Sequence, residues 1–147
     1  MAGVALLMMG AAGASAHAQP PALQGVRVIV HPGTAVDTLD REQLSRVFLR
    51  KAARWAGGVP VQPVDLRESA PARDAFTRFV HRRSVAMVTQ YWQRQIFSGR
   101  QLPPPDRATD AEVLAFVRST PGAIGYVSEA ADVRGVKIVT VGARRGE

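Results

Sequence analysis

Short apolar runs alternate along this chain with stretches in which apolar residues recur every three or four positions. The runs predict four strands, at residues 26–30, 59–64, 123–127 and 136–141. Pro60 and Pro63 place the second of these strands near a sheet edge or at a strand end. The alternation of strands with helical stretches predicts an α/β fold, with a small mixed β-sheet flanked by helices.

The helical stretches carry recognisable start signals. Asp40 with Gln43 and Thr109 with Glu112 have the spacing of capping boxes, and Ser84 can cap another helix. The first helix is predicted to end near residues 55–58. The positions predicted to face the core are Leu44, Val47, Phe48, Ala72, Phe76, Phe79, Val80, Val85, Val88, Trp92, Ile96, Val113, Leu114, Phe116 and Val117. Gly125, within a strand, leaves room for a close approach to the backbone.

Residues 1–18 have the pattern of a secretory signal peptide, with an apolar run, small residues and the cleavage pattern Ala16-His17-Ala18. No Lys or Arg precedes the apolar run, so an apolar terminus on a cytoplasmic protein is the alternative. We predict export to the periplasm. Residues 19–25 are then a linker, residues 26–141 a single domain, and residues 142–147 a flexible tail.

The composition limits the kinds of reaction and ligand that this chain can support. The 147 residues include no cysteine, which excludes disulfides and thiolate chemistry, and the net charge is +7, supplied almost entirely by arginine. A basic surface attracts anions, anionic membranes or nucleic acid, and export argues against nucleic acid as a partner. Common hydrolase and phosphate-loop motifs are absent. His31 and His81 stand apart without metal-ligand spacing. We therefore expect no enzymatic activity, no metal and no cofactor.

The segment between the second strand and the second helix is the candidate binding site. A strand that ends at a helix start presents free N–H groups and the positive end of the helix dipole. Ser69, the predicted N-cap, adds a hydroxyl, and Arg67 and Arg73 can fork onto an oxyanion. Arg73 opposes the dipole at a cost of about 0.3–1 kcal/mol, which a bound anion would reverse. In the alternative, Ser69 only caps, and Glu68 or Asp74 neutralises Arg73.

A second basic cluster contains Arg50, Lys51, Arg54 and Trp55. It suits an acidic partner surface. In the alternative, Trp55 covers the end of the core and the charges are solvated.

Three segments, in order along the chain, carry a family resemblance. Residues 44–55 read Leu-Ser-Arg-Val-Phe-Leu-Arg-Lys-Ala-Ala-Arg-Trp. They resemble the Leu-x-x-Ile-Phe-x-Gly-Lys-x-x-x-Trp helix of phosphate-type ABC-transporter periplasmic solute-binding proteins, with Arg50 in place of Gly. The Ser69 loop with Phe76 resembles the anion-binding turn of that family. The strand Pro-Gly-Ala-Ile-Gly-Tyr-Val at residues 121–127 resembles a third segment.

The resemblance implies one lobe of a type II periplasmic binding protein. It implies binding of phosphate or a related oxyanion, or an accessory role in phosphate uptake, with contacts at Ser69, the Ala70 backbone and Arg67. Arg73 is a fourth candidate contact, which we add because of its place at the helix start and not because of the resemblance. A membrane transporter, another periplasmic protein or a homodimer could complete the site. The alternative is a non-catalytic periplasmic interaction module that binds no small molecule and docks through residues 50–54.

Overall fold

The computed structural model describes residues 23–142, so the predicted signal peptide and residues 143–147 lie outside the described range. Its elements, in chain order, are β1 (Val26–Val30), β2 (Thr38–Asp40), α1 (Arg41–Phe48), β3 (Gln62–Pro63), β4 (Asp65–Leu66), α2 (Pro71–His81), α3 (Val85–Phe97), β5 (Asp106–Arg107), α4 (Asp110–Ser119), β6 (Ala123–Ser128) and β7 (Lys137–Gly142). Within this range, no helix has both the length and the apolar character needed to cross a bilayer.

A mixed five-stranded sheet with the order β2-β7-β1-β6-β3 forms the centre of the fold. Strand β1 is antiparallel to both β6 and β7, so Val28 lies opposite Tyr126 on one side and Val139 on the other. The short outer strands β2 and β3 run parallel to β7 and β6. Strands β4 and β5 form a separate parallel pair. The predicted α/β class, with a mixed sheet and flanking helices, is confirmed.

The core lies between the central strands and the apolar faces of α1, α2 and α4. Three aromatic rings meet there. Phe76 stacks on Tyr126 with ring centroids 3.8 Å apart, and Phe48 meets Phe76 edge-on at 4.8 Å. Such pairs contribute about 0.5–1.5 kcal/mol beyond the apolar area that they bury. Gly125 packs as predicted, because a Cβ at this position would lie 2.8 Å from Val113 and 2.9 Å from Val64.

The helix starts predicted at Asp40, Ser84 and Thr109 are confirmed, and the first and last are complete capping boxes. The predicted end of the first helix is wrong. Helix α1 stops at Phe48 because Arg50 takes a left-handed backbone conformation, with φ of 55°.

Other corrections concern short or exposed elements. Only Gln62 and Pro63 of the predicted strand at residues 59–64 form a strand of the sheet. Pro60 instead forms an isolated bridge to Arg54. Ile96, predicted to face inward, is 47% exposed near the end of α3. The two- and three-residue strands β2, β4 and β5 were not predicted, because such short segments carry no periodicity of their own.

Candidate functional site

The turn that leads into α2 is closed by backbone hydrogen bonds. Ala70 is the N-cap, its side chain makes no capping bond, and Pro71 is the first helical residue. Ser69 therefore lies one residue before the cap, and its predicted capping role is wrong. The Ala70 N–H donates to the Arg67 carbonyl at 3.0 Å, and the Arg73 N–H donates to the Ala70 carbonyl at 2.9 Å. These bonds close the turn without a side-chain cap on α2.

The start of the turn is fixed to the proline-rich connector that precedes α4. The Asp65 N–H donates to the Pro105 carbonyl, and the Arg67 N–H donates to the Arg107 carbonyl, both at 2.9 Å. The pairing of β4 with β5 thus sets where Arg67 and Ser69 lie. Both of these side chains are exposed to solvent.

The acidic residues weighed as partners of Arg73 are engaged elsewhere. Glu68 accepts a hydrogen bond from the Thr89 hydroxyl on α3. Asp74 pairs with Arg78 one helical turn further on, at 2.9 Å. The interpretation in which Glu68 or Asp74 neutralises Arg73 is therefore wrong.

Asp65 takes that role. Arg73 points inward, its side chain is only 8% exposed, and its Nη1 lies 2.9 Å from the Asp65 carboxylate. The same nitrogen donates to the Leu66 carbonyl at 2.6 Å. The Arg73 Nε is buried without a hydrogen-bond partner among residues 23–142. Arg73 is thus buried beneath the turn, whereas Arg67 and Ser69 lie on its surface.

The Asp65 carboxylate completes a buried network with Tyr126. The Tyr126 hydroxyl donates to Asp65, and so does the Leu66 N–H, at 3.1 Å. Burial raises the pKa of Asp65, and the neighbouring Arg73 charge and the Tyr126 hydrogen bond oppose that rise. Burial and the Asp65 charge raise the pKa of Tyr126, which keeps the phenol protonated. We call Asp65, Arg73 and Tyr126 the polar core.

His81 lies at the other end of α2 from the turn. Its Nδ1 is 2.9 Å from the Ser45 hydroxyl on α1, and its ring meets Phe76 edge-on. Burial, together with the positive charges of Arg73 and Arg83, lowers the pKa of His81 to about 4. The imidazole is therefore neutral near pH 7 and adds no positive charge to the interior.

At the turn, the Arg67 and Ser69 side chains are exposed to solvent, and the buried Asp65 carboxylate is paired with Arg73. Across residues 23–142, no group of three carboxylate or imidazole side chains is placed to hold a metal ion.

The burial of Arg73 was missed, although the sequence contained a signal for it. Arg73 is three residues before Phe76 and seven before Val80, which places it on the apolar face of α2. A charged residue on such a face needs a buried partner. That partner, Asp65, lies on a strand too short to recognise from its pattern.

The comparisons with known proteins support the fold. The sequence matches no protein-family model and no curated protein. Several solved structures are similar, and three of them are described next. A putative phosphate ABC transporter substrate-binding protein from Clostridium perfringens, with bound phosphate, is 21% identical over 82% of this chain, with a TM-score of 0.63. An ABC-type phosphate transport receptor from Vibrio cholerae is 16% identical over 80% of this chain, also with a TM-score of 0.63. PstS from Borrelia burgdorferi is 13% identical over 84% of this chain, with a TM-score of 0.62.

The chain spans only part of these proteins, namely 46%, 46% and 49% of their respective lengths. Identities this low establish the fold and nothing beyond it. The resemblance drawn from the sequence is confirmed at that level. This chain therefore has the fold of about half of a phosphate ABC transporter substrate-binding protein.

Proposed function

We propose that the chain is an exported, non-enzymatic domain that binds phosphate or a related oxyanion at the turn from Arg67 to Arg73, or assists phosphate uptake through it. The observation that carries the proposal is the fold shared with three phosphate-transport proteins, one of them with phosphate bound. The signal-like pattern of residues 1–18 supports the periplasmic location in this proposal.

The four proposed contact residues have different roles in this geometry. An anion reaching the turn meets the Arg67 guanidinium and the Ser69 hydroxyl, which are exposed. The Ala70 N–H is already bonded to the Arg67 carbonyl, so it can serve an anion only as a shared donor. Arg73 acts from beneath, because its pairing with Asp65 keeps a buried carboxylate from repelling the anion.

The number of contacts limits the affinity. Three hydrogen bonds to charged groups supply about 5–9 kcal/mol in total. Association costs at least about 4 kcal/mol, which leaves at most about 5 kcal/mol and an affinity of about 0.2 mM at best. A second copy of this chain, or another protein of the uptake system, would raise the affinity by closing over the anion.

Calorimetry on the full chain with phosphate, sulfate and glucose tests the proposal. We expect heat from the oxyanions only, and weaker binding in Arg67→Gln and Ser69→Ala. Arg100→Gln is the matched control, because it removes another exposed arginine that is distant in sequence from the turn. The absence of any heat of binding for all three ligands at millimolar concentration contradicts the proposal. Equal weakening of oxyanion binding in the Arg100→Gln variant contradicts it as well. Sedimentation velocity with and without phosphate tests closure by a second copy.

A docking module is the second candidate, and one surface observation favours it. Phe97 is 90% exposed and Leu102 is 68% exposed, an unusual exposure for such residues. Gln101 lies between them in the sequence, and its side chain donates to the Arg50 carbonyl at 3.1 Å. This bond joins the exposed apolar residues to the basic cluster at residues 50–54. We expect Phe97→Ser to abolish capture of a periplasmic partner and to leave anion binding unchanged. Capture that survives this change contradicts docking at this surface.

A further inference from the structure

A groove opens at the end of the sheet where β1 stops and β6 begins, and residues 67–73 take no part in it. It has a volume of about 320 Å³. Three segments form it, namely the loop after β1, the hairpin that follows α1, and the turn before β6. We call it the Trp55 groove and define it by His31, Thr34, Val36, Trp55, Val59 and Pro121.

The walls of the Trp55 groove are held in place by hydrogen bonds. The Trp55 indole N–H donates to the Gly122 carbonyl at 2.9 Å, which fixes the ring against the turn before β6. The hairpin is closed by the Trp55 N–H, which donates to the Val59 carbonyl at 2.9 Å. The His31 N–H ties the opposite wall to Ala123 at 3.0 Å. The groove is therefore formed before any ligand arrives, and binding would not have to order it.

The chemistry of the lining favours an apolar body with a negative charge. Trp55, Val59, Val36 and Pro121 offer apolar surface, and Val59 is 44% exposed. No carboxylate is among the lining residues. Arg54, in the same hairpin, donates to the Gly58 carbonyl and forms no ion pair within residues 23–142. Its charge stays available to attract an anion to this end of the molecule.

His31 provides the directed donor. Its Nδ1 accepts a hydrogen bond from the Gly33 N–H at 3.0 Å, so the neutral ring carries its proton on Nε2. In the described part of the chain that Nε2–H has no partner. His31 is one of the residues that line the groove, and it is half-buried. A carboxylate placed in the groove could accept from it.

We propose that the Trp55 groove binds a small organic acid whose apolar body, about the size of one aromatic ring, lies against Trp55 and Val59 while its carboxylate accepts from the His31 Nε2–H. The volume is at the lower end of the range of ligand pockets, about 300–1,000 Å³, which suits one ring and a short chain. This site is separate from the proposed oxyanion turn, and neither site depends on the other.

The test uses the full chain and three probes. These are 3-phenylpropionate, its neutral amide, and acetate, which lacks the apolar body. We expect saturable binding of 3-phenylpropionate by calorimetry, in about the 0.1–1 mM range, with a change in tryptophan fluorescence. The amide should bind about tenfold more weakly, and acetate should give no saturable signal. No saturation by 3-phenylpropionate up to about 10 mM overturns the proposal.

Two variants locate the site. Val59→Asp places a negative charge on the exposed wall and should weaken 3-phenylpropionate at least about tenfold. Ile138→Asp is the matched control, because Ile138 is 48% exposed on β7 outside the groove, and it should bind normally. Normal binding in Val59→Asp, or equal loss in the control, overturns the assignment. Melting curves establish that both variants fold.

The variant His31→Asn tests the Nε2–H donor while keeping the hydrogen bond that shapes the loop. The Asn side-chain oxygen can accept from the Gly33 N–H as Nδ1 does, but the Nε2–H is lost. We expect the preference for the acid over its amide to fall from about tenfold to about two- or threefold, with little change for the amide. An unchanged preference excludes His31 as the carboxylate donor and overturns that part of the proposal.

Discussion

The polar core and the Trp55 groove hold polar groups in opposite ways. In the polar core, Arg73, Asp65 and Tyr126 satisfy one another beneath the start of α2. In the groove, apolar surface and the His31 Nε2–H are left open to solvent. Strand β6 links the two regions, since it begins next to Gly122 and carries Tyr126. The polar core can support a site but has little left to offer a ligand, whereas the groove has unused binding capacity.

The largest expected effect comes from breaking the polar core. Arg73→Met removes the cation and leaves the Asp65 carboxylate buried without its partner. We expect a loss of about 3–5 kcal/mol in the free energy of unfolding, measured by urea denaturation. Adding Asp65→Asn should restore part of the loss, because the uncompensated charge is then gone.

An exposed ion pair provides the control for that experiment. Arg78→Met breaks the pair with Asp74, whose side chains are 64% and 52% exposed. Water screens such a pair, and the expected cost is below about 1 kcal/mol. Equal costs for the Arg73 and Arg78 variants would contradict the description of the Arg73–Asp65 pair as buried.

Acid should weaken the fold through His81, at the other end of α2. In the folded protein its pKa is about 4, below its ordinary value of 6.5, so the unfolded chain binds the proton more tightly. The stability from the neutral ring is therefore complete above about pH 6.5 and is lost as the pH falls towards 4. The raised pKa of Asp65 acts in the opposite direction, since its contribution is lost as the pH rises above 3.8.

We expect the His81 contribution to reach about 3 kcal/mol across that interval. Urea denaturation between pH 4 and 7 measures it, and His81→Gln should flatten the curve. A curve with the same slope in the variant would assign the acid sensitivity to other groups.

A smaller effect is expected from the wall of the Trp55 groove. Gly122 has φ of 80°, and an added Cβ would lie 2.1 Å from the Pro60 carbonyl oxygen. Gly122→Ala should therefore cost about 2–3 kcal/mol, from the left-handed backbone and the clash together. Because Trp55 bonds to the Gly122 carbonyl, the indole fluorescence should shift as well.

Gly58→Ala is the matched control on the facing hairpin. Its φ is 87°, but an added Cβ would meet no atom within 4 Å. Only the backbone penalty of about 1–2 kcal/mol is then expected, and thermal unfolding compares the two variants. If both cost the same, close packing at Gly122 does not hold the groove wall.

Local signals predicted the helices well, whereas contacts distant in sequence were not predicted. Asp40 with Gln43 and Thr109 with Glu112 mark helix starts because each pair bonds within a single turn of the chain. The apolar face of α2 was likewise predicted, as were strands β1, β6 and β7 in outline. These features depend on spacing alone.

The candidate site depended on tertiary contacts. Ser69 was misassigned as a cap because the chain turns one residue later than its composition suggests. The partner of Arg73 is eight residues upstream on a two-residue strand, which periodicity cannot reveal. The Trp55 groove joins three segments that are distant in sequence, so no local pattern could indicate it. Family resemblance indicated the turn at residues 67–73 but gave no sign of the groove.

The position of β7 in the sheet has a consequence for how the chain folds. Strand β1, the first element, pairs with β6 and β7, which are the last two, and β7 separates it from β2. The centre of the sheet therefore cannot assemble during synthesis until nearly all of residues 23–142 have left the ribosome. Pairings between such distant segments also form slowly, because a long loop must close first. The described part of the chain would therefore complete its central sheet only near the end of its own synthesis.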